Sequence, residues 1–144
     1  MIAGRRYIAI FQNINILLCF LLGMEVMLDS SFILSCARRK IDFLAKLEGL
    51  GFKIVIPREV LQEMKDLKQK VRREDRTAIE LALEQISKAK IKKVGFGMGK
   101  VDEELIRFGR KGIYIGTLDK YIKRNVPNKV GIENATNDLI VERD

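Results

Sequence analysis

From residue 24 onward, short uninterrupted apolar runs alternate with longer stretches of helical period, and this alternation constrains the fold more than any other feature. Val26-Met27-Leu28 is fully apolar and reads as a first strand. Phe32, Ile33, Cys36, Phe43, Leu44 and Leu47 then recur near helical spacing, which predicts one helix over 31–47, ended by Gly49 and Gly51. Lys53-Ile54-Val55-Ile56 is a β-branched strand closed by Pro57. Helices are predicted over 58–70, 77–88, 101–110 and 119–124, and strands over 91–94, 113–116 and 130–132. Arg72-Arg73-Glu74-Asp75 reads as a charged joint, and residues 134–144 show no clear final strand. Such βα alternation implies a three-layer α/β/α domain with a mostly parallel central sheet.

In sheets of that kind ligands gather beyond the carboxyl ends of the strands, at the point where strand order reverses. Asp29 directly follows the first strand, and Asp119 follows strand 113–116 with two residues between. Two further acids draw attention by their helical positions. In the helix after Pro57 the apolar stripe runs Val60, Met64, Leu67, Val71, and Glu63 falls within it, whereas Glu59, Gln62 and Asp66 lie off it. In the helix after Gly99, Asp102 shares a face with Leu105 and Ile106, and Glu103 and Glu104 point elsewhere. A carboxylate turned toward a core needs a partner or a metal ion. Each of these acids also has a plain structural role open to it. Asp29 and Asp102 can cap helices, and Glu63 can pair with a lysine.

Composition narrows the chemistry. The chain has 144 residues, 47% of them hydrophobic, which suits one domain with a buried core. There is no histidine, so imidazole acid–base catalysis, Ser–His and Cys–His nucleophiles and imidazole metal sites are excluded. Two cysteines, Cys19 and Cys36, exclude a thiolate-only zinc site and a disulfide framework. With no tryptophan and 7% aromatics, a large base-stacking platform is not expected. Any metal held by carboxylates alone would be a hard, oxygen-seeking ion. The net charge of +8 suits a polyanionic partner, nucleic acid or an acidic membrane, and equally a lysine-rich soluble surface. Gly95–Lys100 is not a phosphate-binding P-loop, because its spacing fails and Val101 stands where Ser or Thr is required.

Residues 1–23 differ from the rest. Arg5 and Arg6 lead into a patchy apolar stretch interrupted by Gln12, Asn13 and Asn15, too short for a membrane helix of roughly 20 residues. The small-residue cleavage pattern of a secretory signal is missing. The reading preferred here is an atypical extension ahead of a domain spanning 24–144, with Met24 or Met27 as the natural start. A helix packed on the domain and a weak membrane anchor are the competing readings. The expected location is cytoplasmic, off the membrane.

Four segments in order resemble the PIN-domain ribonucleases. These are strand–Asp29-Ser30-Ser31, Pro57-Arg58-Glu59-Val60-Leu61-Gln62-Glu63, Val101-Asp102-Glu103-Glu104-Leu105-Ile106 and Thr117-Leu118-Asp119. The likeness runs from about residue 24 to 132 and is closest to archaeal members similar to rRNA-processing and toxin-type proteins. The resemblance implies that Asp29, Glu63, Asp102 and Asp119 hold one or two Mg²⁺ or Mn²⁺ ions, with Ser31 and Thr117 in support. It further implies metal-dependent endonucleolytic cleavage of RNA leaving a 5′-phosphate. Lys120, Lys123 and Arg124 adjoin Asp119 and are candidates for binding RNA. Lys68 and Arg72 are further candidates, and a solvated helix face explains that pair as well. RNA is the expected substrate. A second copy of the chain, an antitoxin and an RNA-processing protein are the partners left open. The alternative function is a non-catalytic PIN-like module that binds RNA or protein.

Overall fold

The computed structural model describes residues 5–8 and 23–143. Seven strands are described: β1 (Arg5–Ile8), β2 (Glu25–Leu28), β3 (Lys53–Pro57), β4 (Lys92–Val94), β5 (Tyr114–Gly116), β6 (Asn128–Ile132) and β7 (Leu139–Arg143). Six helices connect them: α1 (Ser30–Arg38), α2 (Phe43–Gly49), α3 (Arg58–Lys68), α4 (Arg73–Lys88), α5 (Val101–Arg110) and α6 (Lys120–Asn125). The strands form one sheet in the order β1-β7-β6-β5-β2-β3-β4. Pairing is parallel from β6 through β5, β2 and β3 to β4, and antiparallel at β6–β7 and β7–β1.

Past their first residues, Glu25 and Lys53, β2 and β3 are apolar throughout because both of their faces are covered. Val26, Leu28, Ile54, Ile56 and Tyr114 turn to one side, where α1, α2, α3 and α4 supply Phe32, Phe43, Met64 and Ile79. Met27, Val55 and Ile115 turn to the other, against Leu105 and Ile106 of α5 and Ile122 of α6. Period-two alternation thus feeds two separate cores, which is the three-layer α/β/α arrangement expected.

The chain leaves β2 toward β3 and β4, then returns across α5 to place β5 on the other side of β2. The switch point therefore lies between β2 and β5. Gly116 allows the two strands to close there, since a β-carbon at that position would stand 2.7 Å from Leu28 Cδ2. The Asp29 amide donates to the Gly116 carbonyl at 2.9 Å, carrying the pairing one residue past β2.

Several local expectations are corrected. The single helix predicted over 31–47 is two. Lys40 takes a left-handed φ of 57°, and Asp42 starts α2 afresh by accepting the Ala45 amide at 3.2 Å. Hydrophobic period carried across the break because both helices face the same core. The charged joint at 72–75 is the first turn of α4, where Glu74 and Asp75 suit the positive helix end. A final strand does exist: β7 follows a turn in which Asn137 adopts φ 58°. Of the segment 1–23, Arg5–Ile8 pairs with β7 and Gly23 leads into β2, whereas the periodicity predicts no strand there. The readings of the other residues of that segment, as an over-called start, a packed helix or an anchor, lie outside the described residues. Among the described residues no helix is long and apolar enough to cross a membrane.

Candidate metal centre

Asp29 stands at the carboxyl end of β2 and is 5% exposed. Its Oδ1 accepts the Ser30 amide at 2.8 Å, which caps α1. Its Oδ2 accepts two hydroxyls, from Ser31 at 2.9 Å and from Thr117 at 2.9 Å. Each hydroxyl also accepts a backbone amide from the segment leaving β5. Ser31 Oγ takes Leu118 N–H at 3.0 Å, and Thr117 Oγ1 takes Asp119 N–H at 3.1 Å. A hydroxyl has one proton to give. Both protons point at Asp29, so the 3.3 Å approach of the two oxygens is proximity rather than a further bond. Asp29 is thereby fixed in orientation, and β2 is tied to the exit of β5 by two amide–hydroxyl–carboxylate bridges.

Asp119 begins α6. Its Oδ1 accepts the amides of Tyr121 at 2.8 Å and Ile122 at 3.2 Å. The cap settles the orientation of the carboxylate and engages one oxygen, while no donor among the described residues reaches the other.

Helical spacing predicts that Glu63 and Asp102 face the core. In the structure both are exposed residues. The buried line of α3 is Val60 and Met64, and Glu63 flanks it. Asp102 occupies the first turn of α5, with Leu105, Ile106 and Gly109 buried behind it. Both acids nonetheless belong to the crevice around Asp29. Desolvation of the carboxyl group pushes the Glu63 pKa above its ordinary value. A hydrogen bond from the Ser30 side chain pulls it down, and the charges of Asp29 and Asp102 raise it further. Asp102 is likewise pushed up, first by desolvation and then by Asp29, Asp119 and Glu103. Asp102 thus links acids from four separate segments of the chain, feeling Asp29 and Asp119 and acting on Glu63.

Among the described residues no three carboxylates or thiols converge tightly enough to form a ready-made metal cage. The chemistry of the donor set nevertheless fits a hard divalent cation. The four candidate donors are all carboxylates, and two of them are held in the neutral direction, first by desolvation and then by the charge of neighbouring acids. A cation relieves that repulsion.

Of the basic residues singled out in the sequence, Lys120 is exposed and directly follows Asp119. Arg124 is exposed, and its Nε donates to the Lys120 carbonyl at 3.2 Å. Lys123 is half-buried near Gly131. Lys68 ends α3 and Arg72 lies past it, away from the strand ends and roughly 7 Å or more along the axis from Glu63. Sequence reasoning passed over two residues. Ser30 is 8% exposed and its side chain lowers the Glu63 pKa against the other influences, for which the Ser30-Ser31 pair after Asp29 was the available sign. Glu59 binds the backbone of the glycine-rich loop, a long-range contact with no local signature.

A doubly covered parallel sheet with acids clustered at its switch point describes a nuclease-type fold. The family model described as a PIN like domain matches residues 26–133, and the chain belongs to that family. No curated protein matches it closely enough to name a relative.

Proposed function

We propose that this chain is a divalent-metal-dependent endoribonuclease, with Asp29, Glu63, Asp102 and Asp119 holding one or two Mg²⁺ or Mn²⁺ ions. The observation that carries the reading is that Asp102 feels Asp29 and Asp119, and Glu63 feels Asp29 and Asp102, around the β2–β5 switch point of a PIN-like fold. When bound, such an ion lowers the pKa of water and stabilises charge on a phosphate. The protein's own residues do the rest. Ser31 and Thr117 aim the Asp29 carboxylate, and the α6 cap aims that of Asp119. Lys120 presents a positive charge beside the acids for a substrate phosphate. RNA processing and a toxin-type role are both compatible with this chemistry.

The looseness of the acidic cluster favours one other reading, a PIN-like module that binds RNA or protein without cutting. Incubation of the purified chain with single-stranded or looped RNA separates the two. Cleavage with Mn²⁺ or Mg²⁺ that stops in EDTA, together with calorimetric Mn²⁺ binding, supports the enzyme. RNA binding without cleavage and without Mn²⁺ uptake supports the module.

A further inference from the structure

Glu59 does not face the acidic crevice, yet its carboxylate is tied to the loop that delivers Asp102. Both of its oxygens accept the amide of Phe96, Oε2 at 2.9 Å and Oε1 at 3.1 Å. The register explains the meeting. β3 and β4 run parallel with Pro57 beside Val94, so the first turn of α3 and the loop leaving β4 emerge side by side. Arg58, next in sequence, lays its guanidinium against Gly95, 3.6 Å from where a β-carbon would stand. The Phe96 ring then stacks on Phe108 of α5 at 5.8 Å between centroids. The start of the loop, at Gly95 and Phe96, is therefore held by both α3 and α5, while Met98 at its tip is fully exposed.

We propose that Glu59 is a positioning residue that sets the separation of Glu63 and Asp102, and so the affinity of the crevice for a divalent cation. Glu63 lies one helical turn beyond Glu59 on α3, and Asp102 lies six residues beyond Phe96 at the start of α5. A clasp between Glu59 and Phe96 fixes the two helix beginnings to each other. Without it, two mutually repelling carboxylates are free to move apart. The inference rests on the metal-site reading given above.

The function of Glu59 here depends on reach and acceptor geometry rather than charge, and three variants of the full chain separate these. Glu59→Gln keeps a carbonyl oxygen at the same reach without the charge. Glu59→Asp keeps the charge but falls short by one methylene. Glu59→Ala has neither. Mn²⁺ affinity is measured by calorimetry, and hydrogen exchange of the amides over 95–102 is followed in the same samples. Partners that orient a ligand typically contribute about 10- to 100-fold to metal affinity. Glu59→Ala and Glu59→Asp are therefore expected to bind Mn²⁺ about tenfold more weakly, with faster exchange at Phe96, and Glu59→Gln to stay within about threefold of the parent. Parent-like affinity in Glu59→Ala overturns the inference while leaving the metal site standing. So does parent-like affinity in Glu59→Asp alongside loss in Glu59→Gln, which makes charge the cause. A parent chain that takes up no Mn²⁺ overturns the metal reading and the inference together.

Discussion

Thr117→Val tests the hydroxyl bridges with the least disturbance of shape. Thr117 is fully buried, and its hydroxyl gives a proton to Asp29 and takes one from the Asp119 amide. Valine fills the same volume and does neither. A hydrogen bond to a charged group contributes about 1.5–3 kcal/mol, and orphaning a half-buried amide costs about 1 kcal/mol more. The loss is therefore about 3 kcal/mol, a large fraction of the roughly 5–15 kcal/mol that holds a domain together. At a slope of about 2 kcal/mol/M, the urea midpoint falls by about 1.5 M. Thr117→Ser keeps both bonds and loses a methyl, for about 1 kcal/mol. Equilibrium urea unfolding of both variants in EDTA reads these differences without any metal. Ser31→Ala combined with Thr117→Val should be non-additive, because both hydroxyls serve one oxygen. The reasoning is refuted if Thr117→Val unfolds within about 0.5 kcal/mol of the parent, or if Thr117→Ser is the worse of the two.

Glu63→Gln and Asp102→Asn are each expected to reduce Mn²⁺-dependent RNA cleavage by at least about tenfold, while Glu103→Gln, which alters an outward acid on the same helix as Asp102, stays near the parent; equal losses in Asp102→Asn and Glu103→Gln would show that general negative charge, not position, matters. The raised pKa values of Glu63 and Asp102 also fix a sign. The folded chain holds these two protons more tightly than the unfolded chain, so their contribution to metal-free stability is fully present below the ordinary carboxyl range and declines as pH rises through the raised values. Urea midpoints in EDTA across the acid-to-neutral range should show that decline shrinking in Glu63→Gln; an unchanged profile in that variant would remove Glu63 as a source. Mn²⁺ affinity should run the opposite way, rising with pH over the same window as the acids ionise.

The fold was legible wherever local pattern and tertiary burial agree. Strands buried on both faces leave unbroken apolar runs, so β2 and β3 were plain in the sequence, and α5 showed its true limits because Leu105, Ile106 and Gly109 all face one core. The break at Lys40 was hidden because hydrophobic period survives a kink when both segments pack on the same layer. β7 was hidden because its apolar run Leu139-Ile140-Val141 leads straight into the charged pair Glu142-Arg143, which belongs to the same strand. The places of Asp29 and Asp119 at strand ends could be read in the sequence, whereas helical spacing put Glu63 and Asp102 on core faces although both are exposed. Their exposure depends on how far the first turns of α3 and α5 overhang the sheet, and no period in the sequence encodes it. The Glu59 clasp was beyond reach for the same reason, since it joins residues 37 positions apart.

The bridge from Thr117 to Asp29 spans 88 residues of chain. It closes between the first and the fourth of the parallel strands in sequence, with β3, β4 and their helices lying in the interval. Contacts of such long sequence separation form late, after the loop between them has been ordered. A nascent chain carries Asp29 and Glu63 long before Thr117 and Asp119 have been synthesised, and until then the crevice has only one wall. The four acids therefore come together only once β5 and the start of α6 have joined β2. During synthesis or refolding, no intermediate that lacks β5 and α6 brings all four acids together, and recovery of the proposed cation uptake should not precede the joining of β5 to β2.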